Sequence, residues 1–317
     1  MGKLTPEGLV AIEWSLIGIA FCLILARINL RIFYLKSGFV ISDAFIAAAF
    51  AAGISLNAVD LTLYFRGIYD SYIDFRMTTW VASEAESVHV YRALYLLYFP
   101  FYIEQYCNKG TLIALYYEIF GHGSTKIRIA LAFIVFYCVA GFVTTMSMIL
   151  FLCKWGCYWS YAEGCPQRCW KVNDNLGWAF HFTSDILVFV FPLVYISKLN
   201  MSKAQKISAS ITFGIGLINI IITIARWFVV QAVFTPVPAL NTGEAMAVAD
   251  GHIGLIVSIL PSLRPYLRIW HKNTESWLSK FSSSSSGNPC RDGASKTPQV
   301  VSTTSTSSSK AGGTDHV

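Results

Sequence analysis

Side chains able to carry charge or make strong hydrogen bonds stand inside stretches that are otherwise apolar. In chain order they are Glu13, then Asn57 and Asp60, then Glu104, Asn108 and Lys109, then Trp178, His181 and Asp185, then Asn219 and Arg226, and last Asp250 and His252. An ionisable group in hydrocarbon is costly, so each of these demands a partner or a wet cavity. Counting from the helix ends at ~1.5 Å per residue puts Lys109 eleven positions from Phe120 and Asp185 eleven positions from Ile196. Equal depth predicts an ion pair between the third and fifth helices. Asp60 and Arg226 each lie three positions from the other end of their helices, which predicts a second pair. Such pairs either hold a bundle in register or line a ligand site. The residues assigned to that polar network are Glu104, Asn108, Lys109, His181, Asp185, Arg226, Asp60 and Asp250.

His181 and Asp185, spaced i, i+4, share one helix face, and Asp250 and His252 are available from the last helix. Seven-helix zinc hydrolases of membrane lipids use three histidines, with an HxxxH pair on the last helix. Here the histidines inside the apolar stretches are His181 and His252, so no metal and no catalytic residue is assigned. A retinal pigment needs a Schiff-base lysine in the seventh helix, and residues 245–263 contain none. No cofactor is expected. The chain also lacks a phosphate loop, a nucleophile elbow and a haem-thiolate signature, and no enzymatic activity is expected of it.

The elements that must position these groups are seven hydrophobic stretches: residues 8–26, 40–63, 92–120, 129–153, 176–196, 207–229 and 245–263. A span needs ~20 mostly apolar residues, and in lipid the backbone must satisfy its own hydrogen bonds, so these are helices. The fold class expected is all-α, a seven-transmembrane-helix bundle. The first stretch runs into Arg27 with no small-residue cleavage site, which makes it a span rather than a signal peptide. Across the 317 residues, 55% are apolar and 13% charged, and the mean hydropathy is +0.52, more than a soluble domain carries.

Basic residues fall on alternate sides. Arg27, Arg31 and Lys36, then Lys126 and Arg128, then Lys198, Lys203 and Lys206, then Arg264, Arg268 and Lys272 mark one face. The positive-inside rule predicts that face to be cytosolic, with the N-terminus outside and the C-terminus in the cytosol. These loops face anionic lipid, which accounts for the net charge of +6 without nucleic acid as a partner. Cys153, Cys157, Cys165 and Cys169 then cluster on the oxidising side as disulfide candidates, with three pairings open. The sequon Asn200-Met-Ser202 falls in a cytosolic loop and is expected to stay unmodified.

Residues 1–265 therefore form the membrane domain. In residues 266–281, Leu267, Trp270, Trp277, Leu278 and Phe281 recur near helical spacing among Arg268, Lys272 and Lys280. That pattern predicts a juxtamembrane amphipathic helix. Residues 282–317 are a Ser/Thr-rich tail that cannot bury a core and is expected to be disordered.

Several landmarks occur in a recognisable order. Arg27 and Arg31 are followed by Gly38 and Asp43; Asn108-Lys-Gly leads to Tyr116-Tyr-Glu-Ile-Phe120; Cys153-Lys-Trp-Gly-Cys-Tyr-Trp159 precedes Cys165. Asp185, Pro192, Leu199 and Lys206 lead to Phe213-Gly-Ile-Gly216 and Arg226, and the seventh helix closes on Leu260-Pro-Ser-Leu-Arg-Pro265. From about Arg27 to Pro265 the chain resembles the fungal rhodopsin-domain family of seven-helix integral membrane proteins, related to the Pth-type receptor-like proteins. It departs from that family's pattern in carrying Glu118 where arginine is usual, Trp155 where proline is usual, and Asp250 near a common glutamate. It lacks the DRY-like and NPxxY motifs of animal-type receptors.

The resemblance implies a receptor-like protein of the plasma membrane that senses an extracellular or hydrophobic ligand and signals through its cytosolic loops. Its partners would be the lipid bilayer, a small hydrophobic ligand and a cytosolic signalling protein. The alternative is a transporter or accessory membrane protein of a secondary-metabolite pathway, as some family members lie in such gene clusters.

Overall fold

A computed structural model describes residues 4–35, 38–74, 77, 80–121, 124–152, 159, 165–196, 203–230 and 239–263. Among them are seven α-helices: α1 (Pro6–Asn29), α2 (Ile41–Phe65), α3 (Glu84–Phe120), α4 (Thr125–Phe151), α5 (Cys165–Ile196), α6 (Lys203–Val230) and α7 (Leu240–Ile259). The described residues contain no strand. Residues 264–317 lie outside the described part, and with them the amphipathic helix and tail expected from the sequence.

Local chemistry explains where several helices start. Thr5 caps α1, its Oγ1 accepting from Gly8 N at 3.1 Å with Pro6 at the first helical position. Ser83 accepts from Glu86 N at 3.3 Å, and Glu84 and Glu86 place acid in the first turn of α3. Two helices begin well before hydropathy alone suggests, α3 at Glu84 rather than residue 92 and α5 at Cys165 rather than residue 176. A hydropathy window ends where the sequence turns polar; a capped backbone continues beyond it. At the other ends, α1 runs on as a π-helical turn over Leu30–Leu35, and α7 ends in a 3-10 turn over Leu260–Leu263.

Five of the helices are long and apolar enough to cross a membrane, on α1, α2, α4, α5 and α7. The distribution of side chains is that of a protein in lipid. Large apolar residues such as Phe133, Phe136 and Ile129 on α4 stay exposed, whereas Glu13, Asn57, Glu104, His181, Asp250 and His252 are wholly buried. Without an apolar contrast between lipid and interior, close packing and interhelical hydrogen bonds hold such a bundle together.

Helices α3 and α7 are central. Each packs on the other, α3 also on α2, α4 and α5, and α7 also on α1, α2 and α6. Consecutive helices run in opposite directions. The bundle's N-terminal end carries the start of α1, and its C-terminal end the finish of α7. At the N-terminal end the segment after α2 folds over the bundle, burying Ile68, Tyr69, Ile73 and Met77. Leu240 N donates to Ile73 O at 3.0 Å there. That segment turns at Gly67 with φ 71 and holds Met77 at φ 55, in the left-handed region that a side chain with a Cβ rarely adopts.

At the C-terminal end Arg27 and Arg31 clamp the start of α2. Arg27 Nε lies 2.8 Å from Asp43 Oδ1 and its Nη2 donates to Ser42 Oγ at 2.7 Å. Arg31 Nη1 lies 2.6 Å from Asp43 Oδ2, which also accepts from Val40 N at 3.1 Å.

Candidate functional site

The buried polar residues form two linked clusters on the central helices. In the first, Lys109 on α3 donates to His181 Nδ1 at 2.5 Å and to Asp185 Oδ1 at 3.0 Å. An ammonium only donates, so Nδ1 is the accepting nitrogen and the neutral ring carries its proton on Nε2. That Nε2 donates to Asp250 Oδ2 at 3.1 Å. Asp250 gathers donors from three helices: Gln105 Nε2 at 3.2 Å, Thr223 Oγ1 at 2.5 Å and His181. Arg226 Nε stands 3.6 Å away, with its guanidinium 4.8 Å over the Phe101 ring. Two bases, Lys109 and Arg226, thus face two acids, Asp185 and Asp250, through a neutral imidazole. That arrangement compensates charge where the dielectric is low.

In the second cluster Glu104 Oε1 lies 2.8 Å from His252 Nδ1, and His252 Nε2 lies 3.0 Å from Asn57 Oδ1. Asn108 Nδ2 donates to the Gly251 carbonyl at 3.0 Å. Two glycines admit this approach. A Cβ on Gly251 would come 2.8 Å from Glu104 Oε2, and one on Gly53 would come 3.1 Å from His252 Cε1. Small residues let helices close on a polar contact that larger ones would hold apart. Pro100, one turn before Glu104, has no N–H for the i−4 carbonyl and loosens α3 at this level.

The Lys109–Asp185 pair expected from depth is formed. The Asp60–Arg226 pair is not. Asp60 Oδ1 accepts from Tyr69 OH at 2.6 Å, and Arg226 turns to Asp250. The two residues share a depth, but α2 packs on α1, α3 and α7, whereas α6 packs on α5 and α7. Burial first, and then the charge of Asp60, push the Tyr69 hydroxyl well above the usual tyrosine range. His181 and His252 belong to different clusters, each with its own acidic partner. Cys153 and Cys157 lie outside the described residues, and Cys165 and Cys169 fall one turn apart at the start of α5.

Two cavities meet the ion cluster. One, of about 950 Å³ including its mouth, lies toward the N-terminal end between α3, α5, α6 and α7, with Tyr98, Tyr102, Asp174, Trp178, Arg226 and Glu244 on its walls. The other, of about 610 Å³, lies toward the C-terminal end and includes Asn108, Lys109, Asp185 and Asn219. Arg226 lines the first and Lys109 the second. The polar chain between them is continuous: Arg226, Asp250, His181, Lys109, Asp185.

Sequence reasoning passed over Gln105, Thr223, Asp174 and Glu244. Hydropathy boundaries at residues 176 and 245 leave Asp174 and Glu244 just outside a span, yet both sit on helices. For Asp174 a signal was available in its spacing, one turn before Trp178; Glu244, six residues before Asp250, stands about 120° around α7 from it and gave none.

A family model described as the fungal rhodopsin domain matches residues 26–269. No curated protein and no solved structure matches the chain. The family match and the apolar helices together make it a multi-pass membrane protein.

Proposed function

Because the chain belongs to the fungal rhodopsin domain family, we propose that it is a receptor-like integral membrane protein which binds a small hydrophobic ligand in the cavity at its N-terminal end. Ligand binding then shifts the loops at the opposite end. The observation that carries this reading is the sharing of Arg226 between the cavity wall and the buried chain that ends at Lys109 and Asp185. A ligand that draws on Arg226 changes what Asp250 must balance, and His181 hands that change to Lys109. Buried charge pairs of this kind have few alternative arrangements, which suits them to switching between discrete states.

In this reading the N-terminus is outside and the basic loops face the cytosol, where a signalling protein would bind them, and the plasma membrane is the site of action. The four clustered cysteines then close the outer loop after α4 through disulfides. The test is a cellular signalling readout on exposure to hydrophobic metabolites, comparing the full chain with a variant whose residues 198–206 are replaced by Gly and Ser. A response present in the first and lost in the second is expected. A response undiminished in the second overturns the reading.

One observation favours a second reading. Two cavities joined by an ionisable chain also suit a carrier of a hydrophobic metabolite, within a secondary-metabolite pathway. Metabolite flux into vesicles containing the full chain, abolished in Lys109→Met, would support it over sensing.

A further inference from the structure

The cavity at the N-terminal end has an excess of acid. Asp174 on α5 and Glu244 on α7 stand in its wall, and the base beside them, Arg226, is already engaged with Asp250 and the face of Phe101. Tyr98 OH donates to Asp174 Oδ1 at 2.8 Å, while Glu244 makes no hydrogen bond or ion pair among the described residues. Behind Glu244 lie two more carboxylates, Glu13 on α1 and Asp60 on α2, close enough for the three to act on one another electrostatically. Glu13 is wholly buried, and neither of its oxygens has a hydrogen-bond partner; Asp60 leaves its Oδ2 likewise unpartnered. Buried acceptors without donors are rare in folded proteins, and Glu13 and Asp60, though they do not line the cavity, add to the acidic surroundings of Glu244.

The remaining walls are apolar, with aliphatic and aromatic side chains together. Trp178 stacks on Trp227 with ring centroids 5.0 Å apart and on Phe182 at 4.9 Å, and Tyr98 lies parallel to Tyr102 at 6.4 Å. Ring faces attract cations as well as apolar bodies.

We propose that this cavity binds a hydrophobic organic cation, with its ammonium group between Asp174 and Glu244 and its apolar or aromatic body against Trp178, Trp227 and Tyr102. The inference rests on the reading of the cavity as the ligand site and names the ligand's class. An anionic ligand would meet two acidic side chains, Asp174 and Glu244. A neutral apolar one would leave Asp174 and Glu244 to share Arg226, which Asp250 also draws on. The cation alone offsets both costs.

The full chain in phosphatidylcholine nanodiscs is titrated with phenylbutylammonium, phenylbutanol and phenylbutyrate, following tryptophan fluorescence and subtracting empty nanodiscs. Saturable binding of the ammonium, at least about tenfold tighter than the alcohol and absent for the carboxylate, is expected. Glu244→Gln should weaken the ammonium about tenfold and leave the alcohol nearly unchanged, with Glu244→Asp restoring most of the loss. Equal binding of the three probes, no saturable binding by any, or an unaltered ammonium affinity in Glu244→Gln overturns the proposal. Ammonium binding that leaves the cellular response of the intact chain unmoved keeps the cation site and removes the sensing reading. A response to phenylbutanol with no preference for the ammonium does the reverse.

Discussion

Lys109 Nζ stands 3.0 Å from Asp185 Oδ1, so a single ammonium ties α3 to α5 deep inside the bundle, with His181 bridging the same ammonium to Asp250 on α7. Removing one partner of such a pair leaves a buried charge with nothing opposite it. Lys109→Met should therefore destabilise the protein by about 3–5 kcal/mol, whereas Lys109→Met with Asp185→Leu should recover most of that loss. Thermal unfolding of the purified protein across the full double-mutant cycle measures this. Additive losses would mean that the pair carries no coupling.

The closeness of α3 and α7 rests on Gly251. Alanine there would drive its Cβ to 2.8 Å from Glu104 Oε2, so Gly251→Ala is expected to cost about 1–3 kcal/mol through overpacking. Among the described residues, nothing beyond Gly18's own stretch of helix comes within 4 Å of where a Cβ would stand. Gly18→Ala is then neutral or stabilising, by up to about 1 kcal/mol. The same thermal measurement compares the two.

Among the described residues, Tyr69 supplies the one hydrogen bond to the buried carboxyl group of Asp60. Tyr69→Phe removes it at a cost of about 1–3 kcal/mol. Because the folded state holds the Tyr69 proton more tightly than the unfolded chain does, its contribution is complete below the ordinary tyrosine value of about 10 and is lost as pH rises above it. The stability gap between wild type and Tyr69→Phe should stay constant up to about pH 10 and narrow beyond. Denaturant unfolding at a series of alkaline pH values reads that gap.

Asp43 holds two arginines and the backbone of Val40 at once. Asp43→Ala should cost about 2–4 kcal/mol, since it strips charged hydrogen bonds from the half-buried Arg31 and the fully buried Arg27. Limited proteolysis between α1 and α2 should accelerate in that variant and not in Arg128→Ala on α4.

The proposed orientation, with the basic loops in the cytosol, predicts that Asn200 escapes glycosylation and that a sequon introduced between residues 160 and 164 is modified. Gel mobility before and after glycosidase treatment in a eukaryotic host distinguishes the two topologies.

Hydropathy and charge in the sequence specify seven helices and a membrane setting, because a bilayer imposes its length and polarity on each segment separately; the family is carried by the ordered landmarks from Arg27 to Pro265. The Lys109–Asp185 pair was legible for the same reason. Depth is a count along one helix, and α3 and α5 happen to be neighbours. Asp60 and Arg226 match in depth just as well and do not meet, because depth says nothing of which helices touch or which face each turns inward. Packing alone decided that Glu104 faces His252, that Gly53 and Gly251 make room for them, and that Asp174 and Glu244 share a cavity. Azimuth and neighbour order come from fitting side chains across several helices together, which no single helix encodes.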